Sequence, residues 1–173
     1  VAVMAAALVA VAAIALHALD RKTEMTRLLD ETAREAFLLA EIDEWVTAAV
    51  LDWRGVYFSR TVEEARAFAP GVEENLSKIA AVMPELEALA RDDERGLVLT
   101  LKEKLSAFAD LRTRTVERAL AEGPEAMLGA LTIEDVRADR RALQATVDRL
   151  EDEVIARLRA LRAALDAFDA RMS

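Results

Sequence analysis

From Met25 onward, apolar residues recur at spacings of three and four: Met25, Leu28, Leu39, Ile42, Val46, Ala49, Trp53 and Val56. That spacing puts them on one face of a helix, in a seam of the coiled-coil kind. Thr32 and Glu35 weaken the seam, but no Gly or Pro breaks it, so one helix is predicted to end near Tyr57. Thr61-Val62-Glu63-Glu64 has capping-box form, with the hydroxyl on the N3 amide and the Glu64 carboxylate returning to the cap amide. It opens a second helix over about 62–91. Pro70 and Pro84 each remove an internal hydrogen bond there and predict kinks. A rival parse carries the first helix to Phe68 and starts the second at Pro70. The first parse is preferred because it makes the second helix as long as the third.

Asp92 or Asp93 is the expected cap of the third helix, whose apolar positions are Leu97, Leu101, Leu105, Phe108, Leu111, Val116 and Leu120. Gly123-Pro124 ends it. After a turn, EAMLGAL, Thr132-Ile133-Glu134-Asp135 caps a fourth helix that runs to the end of the chain. Its stripe is Val136, Leu143, Val147, Leu150, Val154, Leu158, Leu161, Leu165, Phe168 and Met172, with one extra step of four at Val154–Leu158. Such a stutter locally unwinds a supercoil.

The block VAVMAAALVAVAAIALHAL, residues 1–19, has a different pattern: it carries no formal charge and no polar face. At 1.5 Å per residue it spans roughly 28 Å, the thickness of a bilayer's hydrocarbon core. It is expected to be a transmembrane helix whose N-terminal part is cut away, since the chain opens on Val1 rather than Met. A cleaved signal peptide is the alternative, with Ala13-Ile14-Ala15 as the cleavage-type triplet. The seam at Met25 follows without a stop, so the first helix is read as leaving the membrane directly. Short connections then require antiparallel neighbours. The expected fold is an all-α, antiparallel up-down-up-down four-helix bundle over 20–173, with helix one continuous with the transmembrane helix. The last helix would return to the membrane, with a second span following Ser173.

Composition agrees with the fold class: Gly and Pro number 5 and 3, and no alternating Val/Ile/Thr run supports a strand. A net charge of −9 disfavours nucleic acid. Cysteine is absent, and the one histidine, His17, sits in the apolar block. No catalytic residues, cofactor or metal are therefore expected: haem and di-metal bundle sites need imidazole, and no triad or phosphate loop is present. Glu73-Glu74 and Asp92-Asp93 read as solvated charge.

AAVLDWRGVYFS, then EARAFAPGVEENLSKI and DDERGLVLTLKEKLSAFADLRTRTVERALAEGPEAM, resemble the extracytoplasmic four-helix-bundle sensor domain of bacterial methyl-accepting chemotaxis proteins. The sharpest match is Asp52-Trp53-Arg54-Gly55-Val56-Tyr57-Phe58-Ser59 against a D-S-R-G-I-Y-M-S pattern. The resemblance implies a periplasmic sensor module of an inner-membrane chemoreceptor, forming a homodimer. It would bind a small-molecule ligand, an anion among the candidates, or a periplasmic binding protein. It implies signalling by displacement of the last helix. The sensor region of a membrane histidine kinase and a ligand-free structural bundle remain open. Arg54 and Tyr57, with Trp53 beside them, are expected to line an anion-friendly pocket with Arg137, Arg140 and Arg141, because guanidinium forks suit carboxylates and phosphates. The alternative role is structural: Trp53, Val56 and Phe58 capping the core, and Gly55 admitting a close helix.

Overall fold

Ala, Leu, Glu and Arg lose little rotamer freedom in a helix and leave its backbone hydrogen bonds intact, so a chain rich in them is built of helices. The computed structural model describes residues 2–128 and 133–172, with side chains for all of these except 2–11, 14, 128, 133, 135 and 172. The described residues form five helices and no strand: α1 (Ala2–Phe58), α2 (Val62–Leu89), α3 (Arg95–Glu122), the short α4 (Glu125–Leu128) and α5 (Ile133–Met172). The architecture is that of a helical bundle. Among the described residues no helix is long and apolar enough to cross a membrane. The side chains of 1–11 and 14, most of the predicted span, lie outside that set.

The local signals act nearly as read. Thr61 has extended backbone, and its Oγ1 accepts from the Glu64 amide at 3.1 Å. The returning carboxylate is displaced by one residue: Glu64 Oε2 accepts from the amide of Arg60 at 2.7 Å, not from that of Thr61. Helix α2 runs through both Pro70 and Pro84, which rules out the parse that began it at Pro70. Asp92 and Asp93 do not cap α3. They lie in a turn, paired with Arg95 and Arg91, and the cap position is Glu94. Glu94 is buried, and its carboxylate folds back to accept from the Arg91 amide at 3.3 Å. At the other end Gly123 takes φ +100°, a conformation that favours glycine, and α3 stops there. The expected turn after it opens as helix α4, which buries Met127. The predicted cap at Thr132 lies outside the described residues.

The chain divides into two compact units, Val1–Arg34 with Val154–Ser173, and Glu35–Glu153. In the larger unit, Leu39, Ile42, Val46, Ala49, Trp53 and Val56 of α1 are buried. So are Ala65, Val72, Ile79, Met83 and Leu86 of α2, and Val98, Leu101, Leu105 and Phe108 of α3. Leu143, Val147 and Leu150 complete the set from α5. Each large buried side chain contributes roughly 1.5–3 kcal/mol by leaving water. Glycine brings α1 and α2 together: a Cβ on Gly55 would overlap the Phe68 ring, and one on Gly71 would overlap the Asp52 carboxylate. The smaller unit has its own cross-helix contacts, including an exposed ion pair between Lys22 and Asp169 at 2.6 Å.

Candidate functional site

Seven of the eight buried positions of α3 follow a three–four alternation, Val98, Leu101, Leu105, Phe108, Arg112, Thr115 and Ala119, and Val116 is the eighth. Two of these seam positions are polar. A reading that steps from Leu111 to Val116 passes over both, although the seven-residue spacing set by Leu101, Leu105 and Phe108 points straight at 112 and 115.

Arg112 is 1% exposed. Its Nη1 donates to Asp139 Oδ2 on α5 at 2.7 Å, and Asp139 is itself only partly exposed. The guanidinium carbon lies over the Phe108 ring, 3.9 Å from its centre, and 5.7 Å from the centre of the Trp53 ring. Nε and Nη2 are buried and have no hydrogen-bond partner among the described residues. Each buried donor left unmade costs about 1–3 kcal/mol. Burial therefore pulls the Arg112 pKa below the usual arginine range, and the positive charge of Arg140 acts in the same direction; the bond and charge of Asp139 oppose both.

Around this pair the larger unit is tied by polar contacts. Trp53 Nε1 donates to Thr115 Oγ1 at 2.7 Å, and that hydroxyl is close to the carbonyls of Leu111 and Arg112. Lys104 Nζ donates to the Ala142 carbonyl at 2.7 Å and to Thr146 Oγ1 at 2.6 Å. Arg140 Nη2 donates to Thr47 Oγ1 at 3.2 Å, and Gln144 Nε2 donates to Asp43 Oδ1 at 2.7 Å. Residues 139–146 of α5 thus meet both α1 and α3 through groups that can exchange partners.

The six residues expected to form one pocket are dispersed. Trp53 is buried in the seam. Tyr57 does not face outward: it stacks on Trp53 at 5.4 Å and packs against the core formed by Trp53, Val56, Ala65 and Val72. Arg54 and Arg137 are exposed. Arg140 reaches inward to Thr47, while Arg141 pairs with Glu134 on the surface. Of the three residues expected to cap the core, Trp53 and Val56 are buried but Phe58 is 73% exposed, and half-buried Tyr57 packs there instead. So Trp53 and Arg140 belong to the neighbourhood of Arg112, and the other four do not converge there. A cleft of about 400 Å³ between α2 and α3, lined by Pro70, Leu76, Val116 and Leu120 among others, includes none of the six.

No group of three His, Asp or Glu side chains among the described residues has the arrangement to hold a metal ion. No protein-family model, curated protein or solved structure matches the chain.

Proposed function

We propose that this chain is the sensory module of an inner-membrane chemoreceptor, with 1–19 as its first membrane span and 20–173 in the periplasm. In this reading it senses a small molecule or a periplasmic binding protein, works as a homodimer, and transmits by a small displacement of α5. No catalytic step and no nucleic acid enter it. An up-down-up-down order is supported by the pairing of residue numbers. Asp43 meets Gln144 and Thr47 meets Arg140, so rising numbers on α1 pair with falling numbers on α5. Lys104 with Thr146 and Arg112 with Asp139 run the same way on α3 and α5.

The observation that carries the proposal is buried Arg112 at a seam position, paired with partly exposed Asp139 and with two of its three guanidinium nitrogens unfilled. An apolar residue there would hold α3 and α5 more simply, because replacing buried ion pairs with apolar residues is often neutral or stabilising. A polar contact that exchanges partners suits an element with two packings close in free energy, which a ligand biases by its differential affinity. The step of four at Val154–Leu158 gives α5 a place to absorb the difference in register. A ligand-free structural bundle is the second reading, favoured by the same pair, since one buried polar seam residue also fixes helix register.

Fusing this chain to the membrane and cytoplasmic parts of a working bacterial chemoreceptor tests the proposal. The fusion is expected to sustain kinase control, and Asp139→Asn is expected to shift its steady output. A fusion whose output is the same with and without Asp139→Asn would contradict the sensory reading.

A further inference from the structure

We propose that Arg112 is a latent binding site for a small organic monocarboxylate, opened when α5 moves away from α3. The inference rests on the displacement of α5 proposed above and adds the ligand class and the atoms that recognise it.

The unfilled donors identify the chemistry. Nε and Nη2 of Arg112 share one edge of the planar guanidinium, and their hydrogens point the same way. That edge is the fork a carboxylate takes with two parallel N–H···O bonds. The third nitrogen, Nη1, is already committed to Asp139. Charge favours an anion as well: the positive charge of Arg140 lies close enough to act on Arg112, and Asp139 is the acid bonded to Arg112. Two positive groups thus face one negative, so one further negative charge balances the set. The Phe108 face and the Trp53 ring flank the guanidinium and offer an apolar wall to the body of such an acid. A monocarboxylate with a short hydrocarbon tail fits this better than phosphate or a dianion.

In the present packing both fork nitrogens are sealed from solvent, so the site is closed. The hydrogen bond between this guanidinium and α5 is the one from Nη1 to Asp139. Where α5 shifts, that bond is the one to lengthen, and an incoming carboxylate can complete the fork. An acid that binds only the open packing stabilises it by its differential affinity, which is what a sensory ligand must do. The carboxylate can come from a free acid or from a side chain of a neighbouring copy. The two sources separate in the test, one following acid concentration and the other protein concentration.

The test uses the full chain in detergent micelles with Trp45→Phe, so that Trp53 alone reports. Sodium butyrate is titrated against sodium chloride at equal ionic strength. The expected result is a saturable change in Trp53 emission and a rise in melting temperature with butyrate alone. Arg112→Lys keeps the charge but loses the fork, and should weaken butyrate about tenfold or more. Asp139→Asn keeps the fork and weakens the closure, and should tighten butyrate. A response indistinguishable from chloride, equal butyrate affinity in the native and Arg112→Lys chains, or an effect that follows protein concentration instead of butyrate would overturn the site. A silent receptor fusion that still binds butyrate would sink the sensory reading and leave the site standing. A fusion that signals while butyrate has no effect would do the reverse.

Discussion

The two units carry the same three–four pattern and bury it to different depths. In Glu35–Glu153 the seams of α1, α2, α3 and α5 face one another, and residues such as Ile42, Val56, Leu101 and Phe108 are fully enclosed. In the other unit, Val1–Arg34 with Val154–Ser173, Met25, Leu29, Leu158, Leu161, Leu165 and Phe168 are half-buried. Thr32 and Val154 are the buried side chains among its described residues. A seam closed on several sides loses its water, whereas one met by a single helix keeps one flank wet. Periodicity alone does not tell the two cases apart; the number of helices meeting the stripe does. A second copy packed on the smaller unit would close that flank, in keeping with the proposed homodimer.

The comparison predicts unequal costs for similar truncations. Trp53→Ala should destabilise the larger unit by about 3–5 kcal/mol, as large-to-small changes in a closed core do. Phe168→Ala should cost only about 1 kcal/mol, because its ring is already half in solvent. Denaturant titration followed by circular dichroism measures both, and equal losses would remove the distinction between the units. Next in size is Thr115→Val, which keeps the shape of the side chain but leaves the buried Trp53 N–H without its acceptor. A loss of about 1–3 kcal/mol is expected, and a neutral result would mean that this bond does not tie α1 to α3.

The smallest effect concerns Glu151 on α5. Burial raises its pKa, and the charges of Asp43, Asp148 and Asp152 raise it further. The fold therefore favours its protonated form. That contribution is fully present below the ordinary value of 4.5 and is lost as pH rises through the higher folded value. Glu151→Gln should accordingly stabilise the chain at pH 7 by roughly 0.2–0.5 kcal/mol after solvent screening. The two melting curves should converge near pH 4. A gap independent of pH would assign the effect to something other than charge.

Much of the fold was legible because helix signals are local. The Thr61 cap, the stop at Gly123 and the run of α2 through two prolines depend on residues within a few positions of each other. Two local readings still failed: Glu64 reached one amide too far back, and buried Glu94 displaced Asp92 and Asp93 as the start of α3. Thr32 and Glu35 looked like a weak patch, yet they occupy seam positions and are buried. The site was less legible. Arg137, Arg140 and Arg141 are adjacent in sequence, but on a helix they point in different directions, and only Arg140 turns toward a neighbouring helix. Arg112 was visible to a stricter count of the spacing. Its pairing with Asp139 was not, because that depends on how α3 and α5 are rotated against one another.

The central claim, that α5 is held in one of two packings by the Arg112–Asp139 contact, can be read at Trp53. The chain would be labelled with 5-fluorotryptophan and its Trp53 resonance followed by ¹⁹F relaxation dispersion. The account predicts exchange on the microsecond-to-millisecond scale with a minor state of about 0.1–10%, and its disappearance in Arg112→Met. A flat dispersion profile in the native chain, the same as in Arg112→Met, would contradict it.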